Sequence, residues 1–468
     1  MEREQADLLI QGADWIITMD EERRIIRDGA IAVRGDTVLA IDKTDVVEGR
    51  YEAARTIDAR DRVVIPGMID SHVHSAFQMS RGLADEVGEQ KFLFERMYPY
   101  EGCMDDEDTY WSALLCTLEL LKHGVTCFVD PGNYHIDQTA KAVEESGMRC
   151  IVAKSSFDIG KSSFGAIPEA WIETTDEALE RAEAVIDKWH NRADGRIRAF
   201  ASFRGLNNCT DGLIQGLKEI ADRHGTGIQT HCAFAQKTRD TSLDKFGMTE
   251  VERLEQLGVL GPNVLLGHVG WLTPAELLLM QKRNVCAVAC PSSSFHNGYG
   301  NITMGHIPEL LEMGLAVGVG SDHASSGIID LLQELRIVGM GFKETRIDPR
   351  MMPPERVFEM ATVNGARGAL WDRDIGSLEV GKKADIVLFN TLRPEWMPLY
   401  NNPLVNLVYS ATGSSVDTVI VAGAVLVADG EAVSIDEGKV YGEVKRLTGK
   451  ILKKTGLEEI IQPKWTVV

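Results

Sequence analysis

Pro66-Gly67-Met68-Ile69-Asp70-Ser71-His72-Val73-His74 is the stretch whose reading decides the fold. A short apolar run, Val63-Val64-Ile65, leads into it and reads as a buried strand that Pro66-Gly67 bends or breaks. His72 and His74 stand two apart, and in extended chain residues i and i+2 point to one face. Two imidazoles side by side at a strand end can hold one divalent metal. A lone H-x-H is more often two surface histidines, so the surrounding chain decides what this one means.

Downstream, strand, loop and helix repeat. Apolar runs at 125–129, 150–153, 197–203, 227–230, 264–266, 285–289 and 316–319 read as strands. Amphipathic stretches lie between them; in the helix expected at 106–122, Leu114, Leu115, Leu118 and Leu121 fall at helical spacing. Counted from Val63 there are about eight β/α units, which implies a parallel sheet and favours a closed (β/α)8 TIM barrel. Upstream the style differs: short strands at 8–11, 15–19, 30–33 and 38–41 are divided by turn signals such as Arg34-Gly35-Asp36. That style returns at 384–389 and 416–427. The expectation is an α/β protein: a barrel over 63–375, a small β-sandwich built from both termini (1–62 and 376–435), and a helical tail over 436–468.

The 468 residues suffice for such a barrel and a second module. A formal net charge of −21 argues against phosphate-backbone binding, so no nucleic-acid partner is expected. The eight cysteines are scattered, with no C-x-x-C pair, as suits free thiols in a reducing compartment. No basic-then-apolar leader opens the chain, and no run of about 18 apolar residues occurs. The reading is a cytoplasmic protein with no membrane contact, acting on a small molecule and forming a homo-oligomer.

Barrel enzymes place their chemistry at the C-terminal ends of the strands. His72 and His74 follow the first strand, His231 follows Ile228-Gln229-Thr230, His268 follows Leu265-Leu266-Gly267, and Asp322 follows Val317-Gly318-Val319-Gly320-Ser321. Three imidazoles and one carboxylate suit zinc, with water in the open position. The ion would lower the pKa of that water, and His268 and Asp322 could then move protons to the leaving group. His123, His190 and His224 fall at helix ends, where a cation suits the dipole. His135, His296, His306 and His323 fall in or near top-face loops.

With these residues in place, the sequence resembles the amidohydrolase superfamily, in its branch of s-triazine hydrolases and nucleoside or heteroaryl deaminases. The resemblance spans nearly the whole chain. It rests on residues 66–74, on Ser80-Arg81-Gly82-Leu83-Ala84-Asp85, Gly124-Val125-Thr126, Thr230-His231, Gly267-His268 and Gly320-Ser321-Asp322, and on Gly376-Ser377-Leu378-Glu379-Val380-Gly381-Lys382-Lys383-Ala384-Asp385-Ile386. It implies one divalent metal, zinc first with cobalt, iron or manganese as alternatives. His72, His74, His231 and Asp322 would be its ligands, and His268 would polarise the substrate or the water.

Two departures matter. Deaminases of this branch carry a glutamate three residues after the strand-five histidine, and this chain has Phe234 there. After strand four, Arg204 replaces a substrate-facing histidine. No lysine ends strand four, so no carbamylated bridge between two metals is indicated, and Lys154 lies after strand three instead. Losing the glutamate disfavours reactions that protonate a ring nitrogen. The expectation is therefore hydrolysis of a urea, carbamate or amide C–N bond, with a heteroaryl deaminase or dechlorinase as the alternative and a non-catalytic barrel scaffold as a remote one. Arg204, Phe234, Gln78, Lys154, His296 and His323 are the expected substrate contacts.

Overall fold

The computed structural model describes residues 3–162 and 165–467. Met68–Asp70, Val125–Val129, Arg149–Val152 and Ile197–Ala199 form a four-stranded parallel sheet. Ala201–Ser202, Ile228–Cys232, Val264–His268, Cys286–Ala289 and Val317–Val319 form a five-stranded parallel one. These segments are short and buried on both faces, which is why they read as apolar runs without alternation. The strand expected at 197–203 is split at Phe200, where one sheet passes into the other. At their far edges the sheets meet again: Ser71 N–H donates to the Val319 carbonyl at 2.9 Å, and Val73 bridges Asp322 in parallel. Helices connect the strands. Asp106–Lys122 opens with a reciprocal cap between Asp105 and Asp108.

The deciding stretch needs one correction. Val63-Val64-Ile65 belongs to Arg62–Pro66, which runs antiparallel to Ile386–Asn390 and parallel to Glu4–Ile17 in the terminal sheet. The first strand of the parallel set is Met68–Asp70. Gly67 is the joint between them: a Cβ there would stand 2.0 Å from Thr126 Oγ1, so only glycine lets the chain pass.

The strands from both termini are hydrogen-bonded into one nine-stranded sheet. The separate strands expected at 8–11 and 15–19 are a single strand, Glu4–Ile17. Its register shifts between Ile10 and Ala13, around Gly12 with φ +73°. Before the shift it pairs with Tyr51–Asp58, and beyond it with Arg62–Pro66. One bent strand thus hydrogen-bonds the strands from the two termini into a single sheet. The tail forms the helix Glu437–Thr455, whose Lys450 reaches Asp105 at 2.8 Å and Asp108 at 3.1 Å. All eight cysteines are free. Among the described residues no helix is long and apolar enough to cross a membrane.

Arg149 and Asp385 tie the parallel strands to the terminal sheet. The guanidinium donates twice to the carboxylate, at 2.7 and 2.9 Å, and both side chains are 3% exposed. Asp385 also accepts from Ala422 N–H. Removing one partner of such a pair strands a buried charge. Arg149→Met is expected to destabilise the fold by about 3–5 kcal/mol, read as a lowered denaturation midpoint. Arg149→Met/Asp385→Asn should recover much of the loss; a double variant no better than the single one would show that the charge is not the cause.

Candidate metal centre

His72, His74, His231 and Asp322 converge, with one ligand atom from each lying within 4.8 Å of the others. Nε2 of His74 and Nε2 of His231 face each other at 3.1 Å. Asp322 Oδ1 lies 3.4 Å from His72 Nε2 and 3.6 Å from His74 Nε2. His72 Nε2 is sealed from solvent without a hydrogen-bond partner. Nδ1 of His231 lies 2.8 Å from the Arg204 carbonyl. That oxygen can only accept, so Nδ1 carries the proton and Nε2 presents its lone pair. Imidazole nitrogens crowded around one carboxylate oxygen, with the buried His72 Nε2 left unpartnered, are costly unless a cation lies among them. The residues therefore fit one divalent metal.

The supports are local. Asp70 accepts from the N–H groups of His72 (3.1 Å) and Ser321 (3.2 Å) and from the Ser321 hydroxyl (2.5 Å), holding the two ligand-bearing strand ends together. Asp322 N–H donates to His72 O at 2.8 Å, and His74 N–H to Asp322 O at 2.6 Å. A Cβ at Gly320 would sit 2.6 Å from that same His72 oxygen, so glycine permits the approach. Asp322 and His268 hold left-handed backbone, φ 64° and 71°, a strain that concentrates at functional positions.

Burial drives the histidine pKa values well below their ordinary range at His74 and His231, and to about 4 at His268. These rings are neutral near pH 7, as metal ligands must be. Burial acts the opposite way on Asp322, yet His323, His268 and His72 hold its carboxyl well below the usual range. The His268 ring stacks on His231 with centroids 5.4 Å apart. His72, His268 and Cys290 form a second, overlapping group of potential ligands.

The cluster opens into a cavity at the strand ends. Of the expected substrate contacts, Arg204, Phe234 and His323 line it. Arg204 is not a free fork: it pairs with buried Glu101 at 2.5 Å and lies over the rings of Phe77 and Tyr98. His323 is held by Ser325 at 2.6 Å and lies 3.3 Å from Asp322 Oδ2. Gln78, Lys154 and His296 are not brought to the cavity. Gln78 bonds Glu119. Lys154 bonds Glu173 at 2.5 Å. His296 turns toward Asp85 at 3.1 Å.

Three lining or adjoining residues escaped the sequence reading: Glu101, Glu250 and Tyr299. Glu250 lines the cavity and accepts from Ala233 N–H at 2.5 Å, and burial raises its carboxyl to about 7. Glu101 stands in the helical excursion that covers the strand ends. Neither lies at a spacing from a ligand that would mark it.

The amidohydrolase family profile matches residues 63–426. A 5-methylthioadenosine/S-adenosylhomocysteine deaminase of Pelotomaculum thermopropionicum is 32% identical over 450 residues, covering 96% of this chain and 100% of that protein. A 5'-deoxyadenosine deaminase of Methanosarcina acetivorans is 32% identical over 452 residues, covering 96% and 99%. Among solved structures, an adenosine deaminase from Xanthomonas campestris with bound zinc superposes with a TM-score of 0.90 at 25% identity, covering 97% of this chain and 100% of that one. An atrazine chlorohydrolase from Arthrobacter aurescens gives 0.85 at 24% identity, covering 94% and 100%, and speaks to the fold. The fold is TIM-barrel-like α/β with a second domain.

Protein purified without added metal is expected to retain close to one divalent ion per chain by mass spectrometry. His72→Ala should lose it, and His268→Asn should keep it, because four ligands already complete a site. Two equivalents per chain, or a fully loaded His72→Ala protein, would contradict a mononuclear centre.

Proposed function

The chain belongs to the amidohydrolase family of metal-dependent enzymes that hydrolyse carbon–nitrogen bonds, and we propose that it removes the amino group of an adenosine-type nucleoside or a similar heteroaryl ring. One observation carries this reading: the metal cluster lies at the floor of a cavity walled by Phe77, Phe92, Tyr98, Phe157, Phe234 and Tyr299. Flat aromatic walls suit a flat ring, and burying one against them is worth roughly 1.5–3 kcal/mol. The deaminase relatives support the same choice.

In this reading the two parallel sheets close as one (β/α)8 barrel, supported by the Ser71–Val319 hydrogen bond and the Phe200 junction. His72, His74, His231 and Asp322 would hold a zinc ion. When bound, that ion supplies Lewis acidity that brings a water molecule toward its ionised form near neutral pH. The water oxygen forms the new C–O bond, the C–N bond breaks, and one water proton leaves with the amine as ammonia. Asp322 and the neutral His268 are the groups placed to carry that proton. Phe234 forms an apolar wall beside the scissile bond, its ring 5.8 Å from that of His268. Arg204, fixed by Glu101, lines the cavity as a positive charge.

Urea, carbamate or amide hydrolysis is the second reading, favoured by Phe234, which brings no proton to a ring nitrogen. An ammonia-release assay on zinc-loaded protein separates the two. The expected outcome is a kcat/KM on 5'-deoxyadenosine, 5'-methylthioadenosine, S-adenosylhomocysteine or an aminated triazine at least about 100-fold above that on phenylureas, carbamates and amides. The opposite ranking would transfer the assignment to the second reading.

A further inference from the structure

Tyr299 follows the helix Pro291–Asn297, and its ring stands edge-on to Phe234 with centroids 5.3 Å apart. Phe234 in turn lies against His268. The three rings form a row that ends at the metal cluster. Tyr299 is 6% exposed and lines the cavity. Its backbone is pinned on both sides: its N–H donates to the Ser294 carbonyl at 3.0 Å, and its carbonyl accepts from the Trp271 indole at 2.8 Å. The phenol has no hydrogen-bond partner among the described residues. The Tyr134 and Tyr409 hydroxyls are sealed inside protein in that condition, whereas Tyr299 is in contact with the cavity. Buried tyrosine hydroxyls ordinarily find a partner. Here the open direction is the one a bound molecule would occupy.

Burial holds the phenol well above its ordinary pKa, and the negative charges of Asp322 and Glu89 and the Tyr98 phenol act the same way. It is therefore a neutral O–H, a donor at every working pH. Attack of water at the carbon bearing the amino group pushes negative charge onto the neighbouring ring nitrogen. A donor already fixed at that nitrogen strengthens its bond as the charge develops. The turn after His231 offers only the Phe234 ring for this purpose.

We infer that Tyr299 Oη donates a hydrogen bond to the ring nitrogen next to the carbon that loses its amino group, and so performs from a neighbouring loop the polarisation that Phe234 cannot. The inference rests on the deaminase reading. Tyr299 keeps its proton throughout. Of the two water protons, one stays with the product oxygen and the other leaves with the amine.

The test pairs deletion of the hydroxyl with deletion of its acceptor. The probes are the 5'-deoxyribosides of 6-methylpurine and of its 1-deaza counterpart, which carry methyl in place of the leaving amino group. Calorimetry with zinc-loaded protein is expected to show Tyr299→Phe weakening the first by about tenfold and the second by less than about twofold, the non-additivity of a direct contact. On 5'-deoxyadenosine, kcat should fall by roughly 100-fold, the scale of one lost preorganised donor, with KM raised by no more than the roughly tenfold seen with the first probe and zinc content little changed. Equal effects on both probes, no effect on either, wild-type protein that binds neither, or unaltered turnover in Tyr299→Phe would overturn the inference. Discrimination between the probes without ammonia release from any aminopurine would keep the Tyr299 contact to the ring nitrogen, overturn its part in turnover, and count against the deaminase reading.

Discussion

Three imidazoles and a carboxylate turned toward one another in a dry interior suit a cation among them, and much of the rim formed by the parallel strands' ends is arranged around that requirement. Asp70 and Ser321 lock together the two strand ends that carry three of the four ligands. The Arg204 carbonyl fixes the tautomer of the fourth. Asp322 and His268 accept a backbone conformation that L residues seldom adopt. None of these devices would be needed by a barrel that served only as a scaffold.

Above the cluster the cavity divides its labour. Aromatic rings supply area and flatness. Polar groups stand among them, and several are already committed: Arg204 to Glu101, His323 to Ser325, Glu250 to the Ala233 amide. A substrate therefore meets a site whose electrostatics are largely set before it arrives, and the phenol of Tyr299 is a donor without a prior engagement among the described residues. This is preorganisation of the kind that lowers barriers without reorganisation at the moment of reaction.

The four converging side chains were legible because each stands at the end of a short apolar run, and strand ends of a parallel sheet share one rim. The run before the first ligand pair misled for a related reason. Val63-Val64-Ile65 and Met68-Ile69-Asp70 are both buried, and apolarity does not say in which sheet a buried strand lies. Gly12 looked like a turn between two strands and is a bulge within one. Gln78, Lys154 and His296 were placed near the right rim, but sequence position does not give side-chain direction, and each turns to its own acid. Tyr299 reaches the cavity, and Glu101 reaches Arg204, from excursions whose course is set by packing, with no periodic signal to announce it.

The pairing of Arg62–Pro66 with Ile386–Asn390 carries a consequence for how the protein is made. The strand directly joined to the first ligand-bearing segment gains its antiparallel neighbour only after nearly all the rest of the chain has been synthesised. Until then the nascent polypeptide displays an apolar, unpaired edge made of Val63, Val64 and Ile65, the type of surface on which chains aggregate. A ribosome that stalls within the parallel strands would leave that edge open. That edge closes only when the two ends of the chain come together.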